Sequence, residues 1–362
     1  NYNVTVGDDA GTDLTTGDKN TFAGYAAGAN TTTASNNTFL GSESGFTNTT
    51  GTSNTAVGWR SLLANTTANS NTAVGYASLT ANTTGNQNTA IGQAALDANT
   101  TGDNNVALGY GSLTANTTAD NNIAIGRTAM EASTTATNNV AVGKDAMIAL
   151  TTGAGNIAIG MDALDAITTV SNTIAIGKDA LGANTSGTSN TAIGHEALAG
   201  NTSGGENVAM GYGALDANTT ASNNTGVGYL ALSANTTGTA NTAVGSLAAD
   251  ALTVGQFNTA IGHTALGADT QGSHSVAVGY GALTLQNFTS ATNTFNTAIG
   301  NNALYANTTG ANNTALGYSS LTANTTGAKN SAVGQGALDS NTTASFNNAF
   351  GFDALGANTT GA

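Results

Sequence analysis

A glycine that returns every 17 residues constrains this chain more than any other feature. It stands at positions 7, 24, 41, 58, 75 and onward to 279, then at 300, 317, 334 and 351, twenty-one times without substitution. Residues 71–87, Asn-Thr-Ala-Val-Gly-Tyr-Ala-Ser-Leu-Thr-Ala-Asn-Thr-Thr-Gly-Asn-Gln, are one copy, and the next begins at Asn88. A unit this short cannot bury an apolar face alone, so the copies must stack and share one continuous core. The step from Gly279 to Gly300 is the irregular one, with four extra residues around 286–295. An invariant glycine within one chain marks a backbone corner that needs its φ freedom.

Before each anchor glycine the residues alternate with the strand period of two. Val, Ile, Leu, Met or Phe precedes the glycine (Val57, Ile91, Leu108, Met210, Phe350), and Thr, Val or Ile stands two earlier. Both bulky columns are expected to point inward. A second short strand is expected after the corner, with Leu or Met inward (Leu62, Leu79, Met130, Leu164), and Asn-Thr-Thr-Gly forms the return turn. The fold class is therefore all-β: a parallel β-solenoid of about 21 coils of 17 residues, with strands about 4.8 Å apart. Helix is excluded by the density of Thr, Asn and Gly. Residues 1–53 are atypical terminal coils, in which Gly11, Gly28 and Gly45 replace the inward Leu. Residues 54–284 are regular, 285–296 form an insertion loop, and 297–362 are regular coils ending in mid-coil.

Stacking identical residues creates ladders. Asn fills the position four before the anchor in nineteen copies, with Thr173 and Ser275 the exceptions. Its side-chain amide can donate to one neighbouring coil and accept from the other. Two residues before the anchor, Ala recurs in seventeen of the last eighteen copies. If the bulky columns face inward, this Ala faces outward. Ala73, Ala90, Ala107, Ala124, Ala141, Ala158, Ala175 and Ala192 are then a candidate lateral interface with another chain.

Composition narrows the function classes. The chain has 20 acidic and 6 basic residues, a net charge of −14, and the bases are scattered, which argues against nucleic acid. No stretch is long and apolar enough to span a bilayer, and without cysteine neither disulfides nor thiolate metal sites can form. The three histidines (His195, His263, His274) show no metal-ligand spacing, and no phosphate loop or recurrent calcium-ligand pattern is present. No cofactor, metal or catalytic residue is expected, and the chain does not read as an enzyme.

The position after the anchor carries the remaining chemistry. Tyr76, Tyr110, Tyr212 and Tyr229 offer ring faces that can stack on sugars, and Arg127, Lys144 and Lys178 offer charge beside Asp145, Asp162, Asp179 and Glu196. These seven tyrosines and bases are the candidate ligand-binding residues. Mutual neutralisation of surface charges is the plainer reading of the bases. The Asn-Thr-Thr triplets at Asn65, Asn82 and Asn99 are also glycosylation sequons, although ladders alone explain them. At the ends, Asn3, Val4, Val6 and Gly7 could meet Phe350, Leu355 and Asn358 of a second molecule, because joining Ala362 to Asn1 nearly restores the repeat.

The motif Asn-[Thr/Val]-Ala-[Val/Ile]-Gly followed by Ala/Ser-Leu, as in 105–113 and 207–215, resembles the head repeats of YadA-type trimeric autotransporter adhesins. It is similar also to the Asn-Thr-Ala-Ile-Gly repeats of bacterial and phage tail-fibre proteins. The resemblance covers the whole chain and implies a left-handed parallel β-roll, often trimeric, displayed on a surface to bind host, matrix or other cells. The expected function is a structural subunit of an extracellular or cell-surface fibre or adhesin. It would self-associate as a homotrimer or a head-to-tail filament, with attachment to surface glycans and with no nucleic-acid partner or membrane span. An ice-binding β-solenoid using Thr ladders is the alternative, from Thr66 and Thr67 and their repeats, and a polysaccharide-binding or -degrading tail fibre is the third.

Overall fold

The computed structural model describes residues 2–361, and among these no helix forms. The chain is a parallel β-solenoid of about twenty turns with a 17-residue repeat, and its contacts divide into two units, Asn1–Lys178 and Asp179–Ala362. The first unit carries the three-residue strands β1 (Val4–Val6) to β11 (Ile174–Ile176), one per coil. The second carries β12 (Thr191–Ile193) to β23 (Asn348–Phe350), including the two-residue strands β17 (Gly272–Ser273) and β19 (Thr292–Asn293). Within each unit the coil strands pair in parallel with like residues abreast: Val140 beside Ile157 beside Ile174, Thr242 beside Thr259 beside Val276. The step of 21 residues is absorbed without loss of register, with Val276 facing Thr297. Its extra residues project as β19, which pairs with β17.

The two faces of the strand are the reverse of the sequence expectation. The central Ala is the buried residue: Ala73, Ala90, Ala107, Ala124, Ala141, Ala158, Ala175 and Ala192 are all 0% exposed. The flanking Thr, Val and Ile point outward, and Ile159, for example, is 38% exposed. The proposed Ala lateral interface is thereby overturned. The reason is width. The leucine that stands four after the anchor in most coils enters the core from the opposite wall and is fully buried (Leu62, Leu79, Leu164), leaving room for only a methyl group from the strand. Met130, which stands in the same column, is buried in the same way.

No second strand forms after the anchor; that segment is a succession of turns. Its backbone has positive φ at the anchor, two residues on and four residues on, as at Gly75 (136°), Ala77 (52°) and Leu79 (52°). This alternation bends the chain sharply while its N–H groups still bond the next coil, Leu79 to the Ala95 carbonyl and Ala81 to that of Asp97. The anchor must be glycine for two reasons. Gly160 has φ 139°, and a Cβ there would collide with the Gly177 carbonyl.

Two asparagine columns line the core, and they work differently. Four before the anchor, the Asn54 side-chain oxygen accepts the Asn71 backbone N–H at 2.9 Å, and its Nδ2 donates across the coil to the Ala68 carbonyl at 2.8 Å. The amide-to-amide ladder expected at that position is the main arrangement seven after the anchor, where Asn65 Nδ2 donates to Asn48 Oδ1 at 2.7 Å and Asn99 Nδ2 to Asn82 Oδ1 at 2.8 Å. Asn65, Asn82 and Asn99 are fully buried, so the fold uses these sequon amides as rungs. Such satisfaction is what lets a polar column lie in a core.

In the atypical coils, Phe22 and Phe39 occupy the Ala column and are fully buried, their rings stacked 5.1 Å apart. Gly28 and Gly45 stand where Leu otherwise does, and a Cβ on Gly45 would lie 2.5 Å from the Phe39 ring. The large residue has moved to the other wall of the same coil.

Candidate functional site

Three surfaces carry chemistry. The first is the outward face of the strands. In every coil it presents Thr, Val, Ile or a similar residue three before the anchor and an aliphatic or aromatic residue one before it in all but one, where Ala23 stands; neither column contains a charged residue. Ile91, Leu108 and Met210 are each about 40% exposed here, as outward side chains packed shoulder to shoulder on a flat sheet must be.

The second is the corner after the anchor, where the structure places the tyrosines and bases singled out from sequence. Tyr76, Tyr110, Tyr212 and Tyr229 are all about half exposed. Parallel stacking turns neighbours into ring stacks: Trp59 on Tyr76 at 4.8 Å, and His195, Tyr212 and Tyr229 in a row with spacings of 5.4 and 5.6 Å. Lys144 pairs with Asp145, which also accepts from the Thr128 hydroxyl. The bond to Lys144, ahead of that to Thr128, holds the Asp145 carboxyl below its ordinary range, and the same contact raises Lys144. Arg127 lies one coil before Lys144 in this column, and Lys178 two coils after it. Asp179, His195 and Glu196 bring potential ligand atoms within 4.8 Å of one another, with His195 Nδ1 3.5 Å from Glu196 Oε2. The histidines lack ligand spacing among themselves; this trio forms because its acids stand two after successive anchors and stacking brings them beside His195.

The third surface was not legible in the sequence. It is a cavity of about 700 Å³ on the turn side of the first four coils. Its origin is a step in side-chain size. Five after the anchor, successive coils carry Thr12, Ala29, Phe46 and Leu63; two after it they carry Asp9, Ala26, Glu43 and Arg60. In these two columns the second coil thus supplies only methyl groups, and larger neighbours stand on either side.

The residues proposed for end-to-end contact lie in the first and last coils. Val4, Val6, Phe350 and Leu355 are exposed, and Gly7 is exposed beside them. Asn3 Nδ2 bonds the Gly17 carbonyl at 2.8 Å, and Asn358 Nδ2 that of Gly361 at 3.0 Å. The joint of Ala362 to Asn1 lies outside the described residues. The threonines of the ice-binding alternative are partly committed: Thr66 Oγ1 donates to the Thr83 carbonyl at 3.1 Å, and Thr83 to that of Thr100 at 3.0 Å. That column links coils, while Thr67 beside it faces solvent.

No helix is long and apolar enough to cross a membrane among the described residues. No protein-family model matches the chain, and no curated protein matches it.

Proposed function

We propose that this chain is a structural subunit of a fibre-like assembly at a cell surface or outside the cell, and that it associates laterally with further copies through the outward face of its strands. The observation that carries this reading is the absence of charge from that face in all twenty-one copies. The column one before the anchor adds an unbroken row of apolar side chains to that uncharged face, and exposed apolar surface running along a folded protein marks an interaction site. A second copy is the occupant that fits. Each strand offers about 10 Å of length at about 4.8 Å spacing, so each unit contributes on the order of 500 Å². Both copies would carry ladders of the same period, which lets rows of β-branched side chains interdigitate.

A structural role rather than catalysis is supported by the pairing of surface charges with each other, Lys144 with Asp145 and Arg60 with Glu43. The test is the joint substitution Ile125→Lys and Ile159→Lys. Both side chains are outward, so folding by circular dichroism should persist while the assembly mass by light scattering falls. Wild-type chain that stays monomeric at high concentration, or an unchanged mass in the double variant, would refute the lateral contact.

A further inference from the structure

The cavity on the first four coils has a composition that the structural role does not require, and it lies on different columns from the lateral face. We propose that it is a binding site for an amino sugar, a pyranose carrying a free amine, within a short oligosaccharide. Its volume of about 700 Å³ falls inside the ~300–1,000 Å³ range of small-molecule sites. The floor is Ala26 and Ala29, both buried and flat. Tyr25, about half exposed, stands at the corner edge and Phe46 at the far edge, so two aromatic rings flank a surface of methyl groups. That arrangement suits the C–H face of a sugar ring, which needs an apolar platform and polar groups at its perimeter.

The perimeter sets the charge of the ligand. Glu43 is held by Arg60, Nε to Oε2 at 2.5 Å, and Arg60 lies 4.4 Å from the Trp59 ring centroid. This ion pair is neutral as a unit and offers hydroxyl-binding groups of both kinds. Asp9 and Asp13 line the opposite side and are exposed. The lining acids are Asp9, Asp13 and Glu43 against the one base Arg60, a net charge of 1 − 3 = −2. An anionic sugar or a phosphate is repelled, and an ammonium group beside Asp9 and Asp13 is attracted. The recess depends on shape as well as charge, because only the alanines of the second coil leave room between Phe46 and the first coil.

The experiment uses the full chain and three probes in calorimetric titrations: glucosamine tetramer, galacturonic acid tetramer and tetralysine. Saturable binding of the glucosamine tetramer is expected, with at least tenfold weaker binding of the other two. Ala29→Leu should fill the recess and lower affinity at least tenfold; Leu63 already occupies the equivalent position two coils on, so the backbone accepts the residue. Phe46→Ala and Asp13→Asn should each weaken binding, with thermal unfolding reporting that the coils persist. The proposal is overturned if the glucosamine tetramer does not bind, if tetralysine or galacturonate binds as well, or if binding survives Ala29→Leu.

Discussion

Exchanging the large residue between the two walls of one coil gives a sharp test of the core. In the coil anchored at Gly41 the pair is Phe39 and Gly45; in the next it is Ala56 and Leu62, both fully buried. Phe39→Ala empties the space filled by the ring, at a cost of about 3–5 kcal/mol. Part of this is the stack on Phe22, whose ring lies 5.1 Å away at 7°, a contact worth about 0.5–1.5 kcal/mol. Gly45→Leu alone drives a Cβ to 2.5 Å from the Phe39 ring, and overpacking of this kind costs about 1–3 kcal/mol or more. Made together, the two substitutions recreate the Ala56–Leu62 pair. Leu holds the same positive φ there, 53° at Leu62 against 59° at Gly45, so the backbone need not move. The double variant should lose about 2 kcal/mol or less, mostly the aromatic stack, for a coupling of at least about 2 kcal/mol. Because coils couple to their neighbours, native-state hydrogen exchange over residues 36–66 is the suitable readout. Additivity of the two single effects to within about 0.5 kcal/mol would refute the idea that the residues share one space.

Other perturbations address the remaining elements. Ala158→Glu buries a carboxylate without a partner and should cost about 3–5 kcal/mol, whereas Ile159→Lys on the outward face should cost far less when both chains are compared at a concentration low enough to keep them monomeric; equal effects would contradict the assigned faces. Gly160→Val meets the Gly177 carbonyl and a φ of 139°, and should cost about 3 kcal/mol or more; exchange should accelerate in that coil and its neighbours, and uniform acceleration along the chain would count against nearest-neighbour coupling. Asp269 is fully buried beneath the insertion, its oxygens accepting from Gln286 Nε2 at 2.6 Å and the Gly272 N–H at 3.0 Å, and burial pushes its carboxyl above the ordinary 3.8 despite those bonds. A raised folded value means that this carboxyl's stabilising contribution is fully present below 3.8 and is lost as pH rises through the folded value. Exchange around residues 269–296, corrected for intrinsic rates, should therefore quicken as pH rises through that window, and Asp269→Asn should flatten the dependence; an equal slope in the variant would exclude Asp269 as its source.

The insertion shows how departures from the repeat are matched in space. Asp269 and Gln286 replace Asn seven after the anchor, and Ser275 replaces the one four before it. In the fold they form one buried network: Gln286 Nε2 also donates to Ser275 Oγ at 2.9 Å, and its Oε1 accepts from Asn296 Nδ2 at 2.8 Å. The exceptions were visible in the aligned repeats, but their mutual contact was not, because they lie 6 to 17 residues apart along the chain.

The repeat by itself determined the solenoid, its 17-residue coil, the parallel register and the glycine corners, because a fixed period leaves stacked like-on-like pairing as the way to cover each copy. It also marked the asparagines as ladder residues. It could not choose which strand face turns inward. Thr-Ala-Val alternates between a small apolar residue and bulkier ones, so hydrophobicity offers no contrast between the faces and size had to decide. That choice belongs to the opposite wall, where Leu62 and its equivalents fill the core and leave the strand only the space of Ala56. The sugar-sized recess has the same origin. Ala29, Phe46 and Leu63 are ordinary residues along the chain, and only stacking their coils makes their difference in size a cavity.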